Sequence, residues 1–374
     1  MTAITLPTAT LAQALKVVLP AIPGKSSLPV LSNVLMRVDG TTLTLTATDL
    51  AIGIAHRVPL AADGGRWALT VPAKTLTEIV AKLPGGDVTL EPSLERCTLR
   101  LGGINFRTTI NGIDANEFPS VPTARDVVDE FVSIPMGQFQ AGIRSVAFCA
   151  ATDDARPVLQ AVRFSLEQDG YSLTAADGYR LAQYHAVRTP IVIPQYLTTP
   201  LLIPGATLKE IAKLRGDTIR LGLTPGRNQL VALTEDTALS SRMIEGQYPD
   251  VTRIIPAQDD TRVDLNDPGA LRRAAEVVKV FMANEQGTPM RLQIDGTNVT
   301  VSTAKSEIGE GEVVVKGYGH AGPSVTTAVN VGYLLELLPT LPQQYTLGTN
   351  GVSSPVVFRA SGLIHIIMPM SVRK

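Results

Sequence analysis

The sequence predicts an α+β chain of three repeated domains, each with two helices packed on antiparallel sheet. Three observations carry this: a recurring order of helical and strand patterns, a fixed spacing between copies, and a composition able to fill cores. Of 374 residues, 44% are hydrophobic and 18% charged, enough apolar side chain for sizeable buried cores. At roughly 100–200 residues per domain, the length by itself allows two or three domains.

Each copy opens on an amphipathic stretch. Leu11, Leu15 and Val18 recur at i, i+4 and i+7, as do Phe139, Ile143 and Val146, and then Leu271, Ala275 and Val278. At 3.6 residues per turn each trio falls on one helix face. A run alternating with period two follows, at residues 43–49, 171–177 and 299–305, the pattern of a half-buried strand. From Asp49 to Asp177 is 128 positions, and from Asp177 to Lys305 again 128. Such a spacing marks an internal repeat.

The second helix of a copy is introduced by Val71-Pro72-Ala73-Lys74-Thr75-Leu76 and by Ile203-Pro204-Gly205-Ala206-Thr207-Leu208. Proline is expected in the first turn, where its missing N–H would be unpaired anyway. The third copy has Val329-Asn330-Val331-Gly332-Tyr333-Leu334 instead, and Glu78, Glu210 and Glu336 correspond. Leu76, Ile79, Val80 and Leu83 mark the buried stripe of the first of these helices. Further strands are expected at 97–101, 219–223 and 356–359. Phe118-Pro119 and Tyr248-Pro249 close two copies, and the proline-containing stretches near 119–127 and 249–262 read as linkers. The expected domains are 1–122, 128–256 and 260–374.

Charge narrows the function. Lys and Arg total 33 against 34 Asp and Glu, a net charge of −1, which excludes a uniformly basic nucleic-acid binder. The charge is segregated, however. Residues 10–19, 73–83 and 137–150 each carry +1, residues 205–215 and 268–283 each +2, and residues 331–340 carry −1, so the candidate helices hold +6 and the rest −7. Lys74 with Lys82, and Lys209 with Lys213, share faces opposite the apolar stripes. Cationic faces on an acidic body can follow phosphates without reading bases; ordinary solvated helix faces would look the same.

Motifs for catalysis fail on inspection. Gly24-Lys25-Ser26 lacks the earlier glycine of a phosphate loop, because Leu19 stands there. Residues 317–322 spell a dinucleotide fingerprint, but a strand pattern follows where a helix is needed, so a hairpin loop is expected. His56, His185, His320 and His365 are scattered, and Asp153-Asp154 reads as a turn or helix cap. No metal, cofactor or nucleophile is expected. Cys97 and Cys149 supply no disulfide framework. The opening residues lack a signal-peptide pattern, and no window holds the roughly 18 apolar residues of a membrane helix. A reduced cytoplasmic protein is expected. A nucleotide-using enzyme and a repeat scaffold unrelated to DNA remain as competing classes.

The repeat phrases resemble a family. Leu28-Pro29-Val30-Leu31-Ser32-Asn33-Val34-Leu35, residues 43–50, Ala176-Asp177-Gly178-Tyr179-Arg180-Leu181-Ala182, Glu245-Gly246-Gln247-Tyr248-Pro249-Asp250 and Met368-Pro369-Met370 are similar, in order and spacing, to the bacterial DNA sliding clamps, the β subunits of DNA polymerase III. The resemblance implies a non-catalytic processivity factor: a head-to-tail homodimeric ring of six domains, with helices facing duplex DNA, working in the cytoplasm in association with the nucleoid. It implies as partners the replicative polymerase, the clamp loader and other proteins carrying a clamp-binding peptide. Their groove between the second and third domains would be built from Arg156, Leu159, Gly178, Tyr179, Arg180, Leu181, Pro249, Ile254, Val352, Ser354, Ile366, Met368, Pro369 and Met370.

By the same resemblance, Lys25, Lys74, Lys82, Arg144, Lys209, Lys213, Arg272 and Arg273 would face DNA, with Phe106 on one side of the dimer contact and Phe281 and Met282 on the other. Two thioethers at 368 and 370 suit a groove that adapts to several peptides. The sequence departs from the family at Ala176, where threonine is common, at Tyr179, where histidine is common, and in the tail Ser371-Val372-Arg373-Lys374. These changes bear on peptide preference. Lys25 stands where relatives carry arginine, keeping charge without bidentate phosphate binding.

Overall fold

A computed structural model of the chain describes residues 2–103, 105–127, 131–167, 169–187, 199–282, 289–303 and 309–371. The expected domain start at 128, Lys305 and tail residues 372–374 lie outside them. Among the described residues there are six helices: α1 (Thr8–Val18), α2 (Ala73–Lys82), α3 (Met136–Val146), α4 (Gly205–Ile211), α5 (Pro268–Lys279) and α6 (Val331–Leu337). The element order repeats three times as strand, helix, four strands, helix, three strands, with one extra strand in the third copy.

Each apolar trio read from the sequence is at most 1% exposed, and each fully buried leucine or phenylalanine contributes about 1.5–3 kcal/mol. The prolines sit one step earlier than expected. Pro7, Pro72, Pro135 and Pro204 each end a strand, and the helix starts at the next residue. Pro72 has φ −55° and ψ 114°, so its ring-fixed φ serves the last extended residue, whose N–H the helix does not need. In the third copy Asn330 takes over, its side chain accepting a hydrogen bond from the Gly332 N–H at 2.8 Å. α4 ends at Ile211, so Lys213 lies in the following turn and does not share a helix face with Lys209 as expected.

The chain forms two compact units. Unit 1 comprises 1–137 and 210–243, unit 2 comprises 138–209 and 244–374, and the second repeat contributes strands to both. Unit 1 has a sheet in the order β1-β6-β7-β8 (Ile4–Pro7, Asp87–Ser93, Thr98–Gly103, Phe106–Asn111). Its larger sheet runs β5-β2-β3-β4-β16-β15-β14-β9 (Arg66–Pro72, Asn33–Asp39, Thr42–Thr48, Ile52–Pro59, Thr237–Arg242, Gln229–Leu233, Thr218–Leu223, Val132–Pro135).

Unit 2 has a nine-stranded sheet, β13-β10-β11-β12-β25-β24-β23-β17-β21 (Leu201–Pro204, Ala161–Glu167, Gly170–Ala176, Arg180–Val187, Leu363–Ile367, Val356–Ala360, Tyr345–Thr349, Thr261–Leu265, Gly319–Ala321). Its smaller sheet is β20-β19-β18-β22 (Glu312–Lys316, Asn298–Ser302, Pro289–Asp295, Val325–Asn330). Two junctions matter below. β4 pairs antiparallel with β16, Ile52 opposite Ser241, and β12 with β25, Leu181 opposite Ile366.

Three expectations need correcting. β11 is buried at all seven positions, including Ser172 and Thr174, because an interior strand of a wide sheet is covered on both faces and alternation then no longer reports exposure. Residues 317–322 are not a hairpin loop: β20 and β21 belong to different sheets, and the Tyr318 N–H donates to the Asp264 carbonyl at 3.0 Å as the chain crosses between them.

The stretches read as linkers are straps docked on sheet. A Cβ on Gly53 of β4 would fall 2.5 Å from Val121, and one on Gly222 of β14 would fall 2.6 Å from Val127, so glycines leave the slot that the strap fills. In unit 2, Val251 is buried with Val357 and Ile366, and Arg359 Nε donates to Asp259 Oδ2 at 2.9 Å.

Candidate peptide groove and basic helix faces

The residues expected to form the groove lie within unit 2, and Arg156, Tyr179, Arg180 and Met368 are tied to one turn. Asp177 Oδ1 accepts from the N–H groups of Tyr179 and Arg180, both at 2.9 Å. Gly178 between them has φ +93°, a conformation that glycine adopts without steric penalty. The Arg156 guanidinium packs where a Gly178 Cβ would be, 2.5 Å from its Nη2, and donates to the Asp177 carbonyl at 3.0 Å. Beyond the turn, the Met368 N–H donates to the Tyr179 carbonyl at 2.8 Å, and the Met370 N–H to the Ala328 carbonyl at 2.8 Å. These bonds fix residues 368–370 beside the turn.

The floor is apolar. Leu159, Leu181 and Ile366 are 4%, 2% and 1% exposed, and Leu181 and Ile366 pack with Ala176, Val251 and Val357. Tyr179, Ile254, Val352 and Met368 stand out by contrast, with 63%, 45%, 65% and 38% of their surfaces exposed. Pro249 is exposed, Ser354, Pro369 and Met370 are half-buried, and the Val352 carbonyl accepts from Thr327 Oγ1 at 3.1 Å. Exposed large apolar side chains gathered round a packed floor mark an interaction surface.

Arg180, one of the residues expected in the groove, is engaged within the protein. Its Nε donates to Asp177 Oδ2 at 2.9 Å, Nη1 to Glu336 Oε2 and Nη2 to the Phe148 carbonyl at 2.7 Å. The guanidinium lies 4.4 Å from the Tyr333 ring centroid and 5.4 Å from that of Phe148. Burial would lower its pKa, but the hydrogen bond to Glu336 and nearby charge outweigh this and hold it above the ordinary value. Arg180 is thus a strut that ties the turn to α6. Asp177 was legible only as a turn, and Phe148, Tyr333 and Glu336 gave no functional signal, because their partner lies far away in sequence.

The eight residues expected to face DNA are all exposed. Lys213 is paired with Glu210 at 2.7 Å, Arg272 with Glu276 at 2.8 Å and Arg273 with Asp267 at 3.1 Å; such exposed pairs are worth about 0–1 kcal/mol and give way easily. Lys25, Lys74, Lys82, Arg144 and Lys209 make no ion pair among the described residues.

Of the residues expected at the dimer contact, Phe106 begins β8, the outer strand of its sheet, and is half-buried over Gly103. Phe281 is half-buried near Gly311. Met282 is 8% exposed and packs in the core of unit 2, so it has little surface to offer a partner. Val277, Val280 and Val314, not among the expected contacts, are 52%, 70% and 50% exposed, beside and on β20, another outer strand. Val277 and Val280 lie off the Leu271–Ala275–Val278 stripe, which was the available signal.

Comparison with known proteins gives the family. Residues 2–122 match the family model of the DNA polymerase III beta subunit N-terminal domain, and 133–250 that of its central domain. The Beta sliding clamp of Synechococcus elongatus is 32% identical over 377 residues, with 96% of each chain covered, and that of Pseudomonas aeruginosa is 28% identical, covering 95% of this chain and 96% of the relative. The DNA polymerase sliding clamp from Bacillus subtilis superposes with TM-score 0.90 over 100% of both chains at 22% identity. The DNA polymerase III subunit beta from P. aeruginosa gives 0.85 at 25% identity, covering 99% of this chain and 100% of that one. Aligned along nearly its whole length with these relatives, the chain belongs to the bacterial DNA polymerase III beta sliding clamp family.

Proposed function

We propose how the residues of this chain carry the work of its family. It is a sliding clamp, a processivity factor without catalysis: a homodimeric ring encircles duplex DNA and tethers the replicative polymerase and other partners. Retention is topological, so the helices need hold DNA only by diffuse charge. Lys25, Lys74, Lys82, Arg144 and Lys209 supply it, with Lys213, Arg272 and Arg273 exchanging acidic partners for phosphates. The ring closes head to tail, so that each of two identical contacts joins different surfaces. β8, with Phe106, meets β20, with Phe281, Val277, Val280 and Val314, of the partner subunit. The domains are 1–122, 128–256 and 260–374, and the clamp works in the cytoplasm, associated with the nucleoid.

Partner peptides dock at Tyr179, Ile254, Val352 and Met368, and the observation that carries this is their exposure around the buried floor of Leu159, Leu181 and Ile366. The test is loading on closed circular and on linear DNA. Retention should be lost from free ends only, and equal retention on both overturns the topological reading. Changing Lys74, Lys82, Arg144 and Lys209 to glutamate should abolish stimulation of the polymerase while gel filtration still shows a dimer. Unchanged stimulation would remove these residues from the DNA face.

A further inference from the structure

A cavity of about 210 Å³ lies in unit 1 where α1 meets the junction of β4 and β16. Val17, Pro20, Ile54 and Leu214 give it apolar walls, and Lys16 and Arg215 line it as well. Neither cation has an ion-pair partner among the described residues. The acids of the lining are engaged: Glu210 pairs with Lys213 at 2.7 Å, and Asp236 Oδ1 accepts from Thr237 Oγ1 at 2.8 Å and Thr234 Oγ1 at 3.1 Å. His56 contributes a flat wall, its Nδ1 bonded to Thr237 Oγ1 at 2.8 Å. Burial lowers its pKa, against a smaller opposite effect of Asp236, so the ring is neutral at pH 7.

The repeat shows what shape belongs there. The Arg57 N–H donates to the Asp236 carbonyl at 2.8 Å, and 128 positions on, the His185 N–H donates to the Gly362 carbonyl at 2.7 Å. In that register Pro20 corresponds to Phe148, His56 to Tyr184 and Leu214 to Thr340. The second junction is filled with rings: Phe148 lies 5.6 Å from His365, which bonds Thr340 at 3.0 Å. The first has Pro20 in place of the Phe148 ring, and the cavity beside it.

We propose that this cavity binds a small aromatic carboxylate, its ring between Pro20, Ile54 and Leu214 and its carboxylate on Arg215 and Lys16. The guanidinium fork matches a planar carboxylate. The volume, below the roughly 300–1,000 Å³ of drug-sized sites, limits the ligand to a mono- or bicyclic ring.

The probe is 2-naphthoate, titrated into the full-length protein by ligand-observed NMR. A saturable Kd of about 1 mM is expected for a ligand this small. Lys16→Gln with Arg215→Gln should weaken binding at least tenfold, and uncharged 2-naphthamide should bind at least fivefold more weakly. His56→Tyr, which restores the ring of the second junction, should abolish binding. If that variant does not fold, the exposed double variant still decides. Equal affinity for the double variant, or for the amide, overturns the proposal. So does displacement of naphthoate by a short duplex, which would assign both cations to DNA phosphate.

Discussion

The two sheet junctions share one backbone frame and differ in almost everything attached to it. Asp49 and Asp177 each bond, through N–H, a carbonyl three residues on, Ile52 and Arg180, at 3.2 Å in both. Each also accepts two backbone N–H groups on Oδ1 at 2.7–2.9 Å. The strand across the junction then donates in the same register, Arg242 to Ala51 and Met368 to Tyr179, both at 2.8 Å. On this frame the first junction carries Ser240, Ser241 and Arg242 where the second carries Ile366, Ile367 and Met368. The repeat fixes the frame, and the side chains decide what is built on each face: the expected groove lies on the strap face of the second junction, with Val251 packed on Leu181 and Ile366, and the cavity on the helix face of the first.

The largest effect that would test this difference is deletion of residues 368–374. Affinity for a fluorescent peptide bearing the polymerase's clamp-binding segment should fall more than 100-fold, with the dimer intact. Arg242→Ala, the counterpart of the first deleted position, should leave it within twofold. Anisotropy titration reads both, and a loss in Arg242→Ala would mean that the first junction also receives peptides.

Next comes the buried strut. Arg180→Met leaves Asp177, 13% exposed at its side chain, without its guanidinium, which should cost about 2–4 kcal/mol, toward the lower end because Glu336 is 54% exposed. The corresponding Ile52→Met should cost less than about 1.5 kcal/mol. Urea midpoints compare them, and equal losses would deny Arg180 its role.

Both junctions hold a histidine whose pKa burial lowers, His56 in the first and His365 in the second, and the larger acid response is expected from His365. Burial holds His365 down to a pKa of about 3, while the unfolded chain takes up a proton near 6.5. Below pH 6.5 the unfolded state therefore binds more protons, and stability falls as pH drops from 6.5 toward 3. About 1–2 kcal/mol should be lost between pH 6.5 and 5, at ~1.4 kcal/mol per unit. His365→Leu, which copies Leu239 at the equivalent position of the first junction, should flatten that part of the profile in urea titrations run across the pH range.

Most of the fold was legible because it rests on local periodicity. The trios of Leu11, Phe139 and Leu271 named three helices, and the spacing between Asp49 and Asp177 aligned the copies. What was illegible depends on contacts distant in sequence. No local pattern shows that Val121 fills the slot over Gly53, that all of β11 is covered, or that Arg180 reaches Glu336. The groove was legible through family resemblance, since Met368-Pro369-Met370 reads otherwise as the end of a last strand. That Met282 is buried while Phe281 is half-buried was equally illegible, because two neighbours in sequence give no sign of which faces inward.

The smallest expected effect concerns the tip of each turn. Leu50 has φ +75° and is 47% exposed, whereas the equivalent position holds Gly178 at φ +93°. A left-handed conformation costs a branched L-residue about 1–2 kcal/mol, and glycine returns roughly 0.4–1 kcal/mol of that through the greater freedom of the unfolded chain. Leu50→Gly should therefore stabilise the protein slightly, by about 0–1 kcal/mol, because the exposed side chain gives up little packing. Gly178→Ala should act in the opposite sense. Its Cβ would press on Arg156 Nη2 and remain in the left-handed region, so a loss of about 1 kcal/mol is expected, together with weaker peptide binding as Arg156 swings out of place. Thermal midpoints of the two variants read the sign. If Leu50→Gly destabilises by more than about 1 kcal/mol, Leu50 makes contacts that outweigh its backbone strain, and the first junction is more than an unoccupied copy of the second.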